Sequence, residues 1–157
     1  VHFWQMEPLI EQKTEMKEKP FNFTKHKIES KNVGSAENDY AVIINGGGRK
    51  EINWIRYWNH CSFLYSSLVN TYGYSEDHIY VLVSDGTNSA DDRKQIINDK
   101  IVYDSSPLDL DGDGDNDIQY SATKANITQV FNTLQNILTP DDNLFIYTTD
   151  HGGQESG

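Results

Sequence analysis

The stretch NLFIYTTDHGG, residues 143–153, decides the fold that we predict for this chain. Its first seven residues form a mostly apolar run with aromatic and β-branched side chains, which is typical of a parallel strand buried on both faces. His151 and two glycines follow the run directly. Open α/β sheets carry their sites at the carboxyl ends of strands, so the pattern predicts that His151 lies at such a site.

Two further strands and two amphipathic helices are predicted upstream of this stretch. The strands are residues 40–45 and 78–83, and the helices are residues 53–72 and 123–138. The order of strand, helix, strand, excursion, helix and strand predicts a parallel sheet with right-handed crossovers and with helices on both faces. The strand ends at Asn45, Asp85 and His151 should then converge at one edge, which makes all three residues candidates for a site.

The composition indicates one domain whose partners are neither nucleic acids nor anionic membranes. The chain has 157 residues, with 13 basic and 24 acidic side chains and a net charge of −11. It has one cysteine, so an intrachain disulfide is excluded, and no apolar run approaches the about 20 residues that membrane insertion needs. Residues 1–38 lack sustained periodicity and are predicted to be an N-terminal extension or linker. The domain itself is assigned to residues 39–157, with a long excursion at 87–121.

The excursion contains the acidic segment DLDGDGDND, residues 109–117. Alternating carboxylates with glycine at the sixth place are typical of loops that wrap calcium in oxygen ligands. The expected ligands are the side chains of Asp109, Asp111, Asp113 and Asp117 and the backbone carbonyl of Asp115. The twelfth position is Tyr120 and not glutamate, so a complete helix-loop-helix calcium site is not expected. We predict a structural calcium ion, and with it an extracytoplasmic location, secreted or periplasmic. A solvated acidic loop is the alternative.

Three side chains are candidates for chemistry or binding beyond the acidic segment. His151 can act as a general base near neutral pH, whereas the alternative is a structural histidine at a strand end. The glycines behind it allow backbone amides to face a developing oxyanion. Cys61 lies among apolar residues of the first helix and is predicted to pack in the core. Arg56 can present a cation to an acidic or amide group of a substrate, or it is a surface charge.

Four segments together resemble the legumain-type cysteine peptidases. They are YAVIINGG at 40–47, Asn53 with Arg56 on the first helix, DHIYVL at 77–82 and DNLFIYTTDHGG at 142–153. The same group includes the catalytic subunit of the glycosylphosphatidylinositol transamidase, and caspases, gingipains and clostripain share its fold. The resemblance implies a three-layer, caspase-like α/β fold, which is incomplete in this chain. It also implies a Cys–His dyad that needs no cofactor for catalysis.

The resemblance further implies roles for individual residues. His151 matches the histidine of the dyad, and the backbone amide of Gly152 helps to bind the oxyanion. Asn45 lies near the position of an asparagine that orients the histidine. Arg56 lies close to a basic residue of the first specificity pocket, and Asp85 is taken as a second substrate-binding candidate because its strand end converges on the same edge.

In this family the nucleophilic cysteine follows the histidine by a few tens of residues, at the end of the next strand. We therefore expect a second polypeptide, the C-terminal part of the same peptidase, to complete the fold and to supply the thiol. Without it the chain is expected to be inactive toward its peptide or protein substrate. Hydrolysis and transpeptidation both remain open, as does the preferred scissile residue.

Two other functions are compatible with the same residues. A strand followed by Asp150 and His151 is also similar to the metal-binding strand end of alkaline-phosphatase-like hydrolases and sulfatases. Those enzymes carry an acidic ligand at the end of the first strand, where this chain has Asn45. The third possibility is a non-catalytic caspase-like domain that has lost the thiol.

Overall fold

The computed structural model describes residues 36–152 and has a mixed α/β fold with a small parallel sheet. The elements in chain order are β1 (Asp39–Asn45), α1 (Ile55–Asn70), a single 3₁₀ turn (Glu76–His78), β2 (Ile79–Val83), β3 (Arg93–Ile97), β4 (Lys100–Asp104), α2 (Lys124–Ile137) and β5 (Asn143–Thr149). The three strands and two helices predicted from periodicity are all present. Most of the predicted N-terminal extension, residues 1–35, lies outside the described residues.

The parallel sheet has the order β2-β1-β5, with β1 at its centre. Asn45, the last residue of β1, is in register with Val83 of β2 and with Thr149 of β5. Backbone hydrogen bonds keep the three strand ends side by side. The amide of Gly46 donates to the carbonyl of Thr149, and the amide of Ser84 donates to the carbonyl of Asn45, each at 3.0 Å. The predicted convergence of the three carboxyl ends is therefore confirmed.

The sheet is packed between the two helices. Alternate residues of a strand point to opposite faces, so Ala41 and Ile43 of β1 pack with α1 through Cys61 and Tyr65. Val42, between them, faces the other side and joins a second cluster. That cluster also contains Leu82 of β2 and Val130 and Leu134 of α2. Burial of each such aliphatic side chain contributes about 1.5–3 kcal/mol, and the predicted placement of helices on both faces is confirmed.

β5 is less buried than its sequence predicts. It pairs with β1 along one side only and forms an edge of the sheet. Phe145 and Ile146 are 39% and 47% exposed, so the expectation of a strand buried on both faces is wrong for the described residues. The apolar pattern of the strand nevertheless fits a position inside a larger sheet.

Two further differences concern α1 and the excursion. The first helix was predicted to extend to residue 72, but α1 ends at Asn70, and Tyr72 is 59% exposed. The excursion contains an antiparallel hairpin of β3 and β4, whose turn places Asn98 and Asp99 at positive φ. Within residues 36–152, no helix combines the length and the apolar content that a membrane crossing requires.

Candidate active site

His151 lies two residues beyond the end of β5, at the edge where the three strands end. Its Nδ1 is 3.4 Å from the hydroxyl oxygen of Tyr57, which is 94 residues earlier in the chain. Its backbone amide donates to Oδ1 of Asp150 at 2.6 Å. The residue is exposed, so its imidazole is held at one nitrogen and is open to approach from solvent.

Tyr57 reaches His151 from the first turn of α1, which begins beside the carboxyl ends of the strands. Its side chain is buried, with 6% of the residue exposed. Nη2 of Arg56 donates to the hydroxyl oxygen of Tyr57 at 2.9 Å. The guanidinium carbon also lies 4.8 Å from the centre of the Tyr57 ring and 5.6 Å from that of Trp54. Arg56 forms no ion pair with a carboxylate within residues 36–152, so its charge remains available at the surface.

Asn45 lies buried at the end of β1, beneath the same edge. Its Nδ2 donates to Oδ1 of Asn53 at 3.4 Å, and Nδ2 of Asn53 donates to the carbonyl of Asp92 at 2.8 Å. Oδ1 of Asn45 is buried and has no hydrogen-bond partner in the described part of the chain. Asn45 makes no hydrogen bond with His151 there, so its expected role in orienting the histidine stays a prediction. The observed polar partner of the imidazole is Tyr57.

Glycines allow the strand ends to approach one another closely. A Cβ atom on Gly46 would overlap the carboxylate of Asp150, and one on Gly47 would lie 2.9 Å from the side-chain amide of Asn53. Gly47 also has a φ of +47°, which favours glycine. Gly152 has a φ of +73° with open space around it, so its backbone is accessible beside His151. Gly153, the second glycine of the predicted pair, lies outside the described residues.

Asp85 lies directly after β2 and is half-buried. Burial, with a smaller contribution from the charge of Asp92, raises the pKa of the Asp85 carboxyl. The neighbouring Ser84 donates from its hydroxyl to the carbonyl of Gly47 at 3.2 Å and ties the end of β2 to that of β1. Asp85 is therefore at the predicted edge, but its side chain makes no hydrogen bond to His151.

The single thiol of the chain is not part of this edge. Cys61 is 0% exposed and packs between α1 and the sheet, beside Ile43 and Tyr65. Burial raises the pKa of the Cys61 thiol from 9.0 to about 12. This burial confirms the prediction that Cys61 is a core residue. A nucleophilic cysteine needs an accessible thiolate, which Cys61 does not present.

The acidic segment brings its carboxylates together. One carboxylate oxygen from each of Asp109, Asp111 and Asp117 lies within 4.8 Å of the others, and Asp111 and Asp113 form a second such group with Glu76. Asp115 belongs to neither group, and its expected contribution through the backbone carbonyl stays a prediction. Burial, and then the charge of neighbouring carboxylates, raises the pKa of Asp111 and Glu76.

Asp117 is the buried carboxylate of this loop and holds its two ends together. It is 4% exposed, and its Oδ2 accepts from the amide of Leu110 at 2.6 Å. Asp109 accepts from the amides of Gly112 and Gly114 at 2.6 and 3.1 Å, which curls the loop around its carboxylates. Oxygen donors with this spacing fit calcium, and Glu76 supplies a carboxylate from outside the loop.

The sequence alone did not indicate Tyr57 or Glu76. Tyr57 adjoins Arg56 and lies four residues before Cys61, on the buried face of α1, and this spacing was the available signal. Glu76 is 33 residues before the acidic loop, and no local pattern connects them. Comparison of the chain with family models, with curated proteins and with solved structures gave no match.

Proposed function

We propose that this chain supplies the base of a cysteine endopeptidase or transpeptidase of the legumain type, within a caspase-like fold. The observation that supports this most directly is the position of His151. Its imidazole lies at the edge where three parallel strands end in register. Tyr57 contacts the ring at Nδ1, and the open backbone of Gly152 adjoins it. Such an arrangement suits proton transfer at Nε2 next to an amide that can bind an oxyanion.

Each residue of the edge then has a role in acyl transfer from a peptide or protein. His151 takes the proton of an attacking thiol and returns it to the departing amine. The Gly152 amide donates a hydrogen bond to the oxygen of the tetrahedral intermediate. Arg56 offers its unpaired guanidinium to an acidic or amide group of the substrate, with Asp85 at the neighbouring strand end. Asn45 supports the end of β1 beneath them.

The thiol is proposed to come from a second polypeptide, the C-terminal part of the same peptidase. Cys61 is enclosed in the core, and the chain has no other cysteine. Within residues 36–152, β5 has an unpaired edge and exposed apolar side chains, and this is the surface that another strand of a larger sheet would cover. A strand paired there would end beside His151, as parallel strands in register do.

Calcium is proposed as a structural ion of the acidic loop. The two overlapping groups of carboxylates carry charges that repel one another, and a divalent cation would relieve that repulsion. An ion there would fix the loop against α1 and β2, because Asp117 is buried and Glu76 precedes β2. Such a site would be filled most easily in an extracytoplasmic compartment, where the chain is proposed to work.

The metallohydrolase alternative receives no support from the geometry. Within residues 36–152, Asp150 and His151 belong to no group of three side chains that could hold a metal ion. Oδ1 of Asp150 is also engaged by the amide of His151. A non-catalytic domain would share the fold, so only an activity measurement separates it from the peptidase.

The test compares two histidine variants in the chain together with the polypeptide that pairs with β5. We expect His151→Gln to lower kcat/KM for peptide hydrolysis by about 10²–10⁴-fold. The control, His60→Gln, changes an exposed histidine of α1 and should leave the rate unchanged. Equal rates in both variants would overturn the role of His151, and hydrolysis that stops only when metal ions are chelated would favour other chemistry.

The partner is tested first by intact mass spectrometry of the denatured, purified protein. A second polypeptide with a cysteine supports the two-chain proposal, whereas a single species with the mass of this chain contradicts it. Ile146→Lys on the exposed edge should then prevent co-purification of that polypeptide. Ile101→Lys, at an exposed isoleucine of the hairpin, is the matched control and should not.

A further inference from the structure

The hydroxyl of Tyr57 lies between a cation and an imidazole. Nη2 of Arg56 donates to it at 2.9 Å and so occupies one of its two lone pairs. Nδ1 of His151 lies 3.4 Å from the same oxygen. The bond between these two atoms contains one hydrogen, which either the phenol or the imidazole can supply. The atom that supplies it determines the tautomer of the neutral ring.

We propose that Tyr57 is a positioning residue, which accepts a hydrogen bond from Nδ1–H of His151 and thereby holds the tautomer whose Nε2 carries the free lone pair. The inference rests on the proposed role of His151 as a base. A neutral imidazole takes up a proton only at the nitrogen that lacks a hydrogen. Because Tyr57 occupies Nδ1, the nitrogen that is open to a thiol is Nε2.

The surroundings of Tyr57 fix the position of its hydroxyl. The ring is buried in the first turn of α1, and the guanidinium of Arg56 both donates to the oxygen and lies over the ring, 4.8 Å from its centre. The hydroxyl therefore has one remaining lone pair, which Nδ1–H of His151 occupies while the phenol hydrogen turns to solvent on the side of the exposed His151. When His151 gains a proton at Nε2, Nδ1–H keeps the same acceptor, so the ring does not need to turn during proton transfer.

No other described side chain provides this contact. The nearest acidic group, Asp150, accepts from the backbone amide of His151 and not from its ring. Asn45 donates to Asn53, and its free Oδ1 accepts from no group within residues 36–152. Tyr57 thus has the role that the family resemblance assigns to an asparagine, although it reaches the ring from a helix and not from a strand end.

The tautomer can be measured in the 157-residue chain without any nucleophile. Side-chain nitrogen chemical shifts are recorded on ¹⁵N-histidine-labelled protein at about pH 9, well above the ordinary pKa of a histidine side chain in a peptide. His151→Gln identifies the resonances of His151 among the five histidines. We expect Nδ1–H to predominate, and in Tyr57→Phe the ratio of Nδ1–H to Nε2–H should fall about three- to ten-fold.

Tyr147→Phe serves as the control, because Tyr147 is a half-buried tyrosine of β5 and removal of its hydroxyl leaves the Tyr57 contact intact. Its tautomer ratio should match that of the unaltered chain. A predominance of Nε2–H in the unaltered chain would overturn the inference, and so would an unchanged ratio in Tyr57→Phe.

The outcomes also separate this inference from the proposed function. If His151→Gln retained full peptidase activity, the proposed function would fail whatever the tautomer. If His151→Gln lost activity but Tyr57→Phe did not change the tautomer ratio, His151 would remain the base and only the role of Tyr57 would fail.

Discussion

The side-chain amide of Asn45 donates to the side-chain oxygen of Asn53 at 3.4 Å, and each residue is 1% exposed. Asn53 continues the contact by donating to the carbonyl of Asp92 at 2.8 Å, and its own carbonyl accepts from the amide of Lys94 at 2.7 Å. One buried residue therefore joins, through its side chain and its backbone carbonyl, the end of β1, the segment before α1 and the β3–β4 hairpin.

Replacing Asn53 should destabilise the whole edge. Asn53→Ala leaves the buried amide of Asn45 and the carbonyl of Asp92 without their partners, each at a cost of about 1–3 kcal/mol. We expect the free energy of unfolding to fall by at least the lower of these values in urea denaturation. Asn136→Ala removes an exposed asparagine of α2 and is the control. Equal losses in the two variants would show that the buried network contributes nothing particular.

Alanine should perturb the site when it replaces Gly46 but not when it replaces Gly48 of the same loop. Gly46→Ala places a methyl group where the carboxylate of Asp150 lies and must displace the residue next to His151. Gly48→Ala meets no atom within 4 Å and introduces no strained dihedral. We expect amide chemical shifts of Asp150 and His151 to move in the first variant only, with a loss of peptidase activity in the assembled enzyme. Similar shifts in both variants would contradict the close approach.

Cys61 should make stability decrease in alkaline solution. Its pKa is raised from 9.0 to about 12, so the folded chain keeps a proton that the unfolded chain releases between these values. Stability is therefore lost as pH rises through this range, by about 1.4 kcal/mol per unit at most. Urea denaturation should show a smaller loss between about pH 8 and about pH 10.5 in Cys61→Ala than in the unaltered chain.

The same comparison controls for tyrosines whose pKa burial also raises, because they are present in both proteins. Identical pH dependence in the two would contradict the enclosure of the thiol. Reaction with iodoacetamide provides an independent measurement, since the folded chain should react only after denaturation. Cys61→Ala should also retain the activity of the assembled enzyme.

Calcium should stabilise the chain through the acidic loop. At a concentration 100 times the dissociation constant, a ligand of the folded state adds about 2.7 kcal/mol. We expect calcium to raise the midpoint of thermal unfolding, and chelation to reverse the effect. Asp111→Asn should abolish the increase because Asp111 belongs to both groups of carboxylates. Asp91→Asn changes an exposed carboxyl outside the loop and should retain it.

Glu76→Gln tests the contribution from outside the loop. If Glu76 is a ligand, the calcium affinity measured by calorimetry should decrease in this variant. An increase in unfolding temperature that survives Asp111→Asn would contradict the proposed site. An unchanged affinity in Glu76→Gln would restrict the ligands to the loop itself.

Hydrophobic periodicity was sufficient to predict the three strands of the parallel sheet, the two helices that cover it and the edge where the strands end. Periodicity did not predict the burial of a segment where that burial depends on contacts with other parts of the chain. The apolar run in β5 is typical of a strand in the interior of a sheet, whereas in the described chain β5 is an edge strand that pairs only with β1. Tyr72 fits the helical spacing, but a helical period does not show where the helix stops.

Local patterns also failed for contacts between distant segments. The β3–β4 hairpin begins with Arg93, Lys94 and Gln95, and its turn is Asn98-Asp99, so neither apolar alternation nor a glycine turn marked it. Its anchor is the bidentate pair of Arg93 with Asp104, at 2.8 and 2.9 Å, which only the paired strands bring together. The contact of Tyr57 with His151 likewise exists only after the chain has folded.

The pairing of β5 with β1 has a consequence for the order of events in folding. β1 opens the described chain and β5 closes it, and Asn143 of β5 donates to Asp39 of β1 across 104 residues at 2.8 Å. Contacts of such long range close late, because the entropy of loop closure must be offset by structure that has already formed. His151 follows β5 directly, so it reaches Tyr57 only when the sheet is complete. A partly synthesised or misfolded chain should therefore lack the contact between Tyr57 and His151.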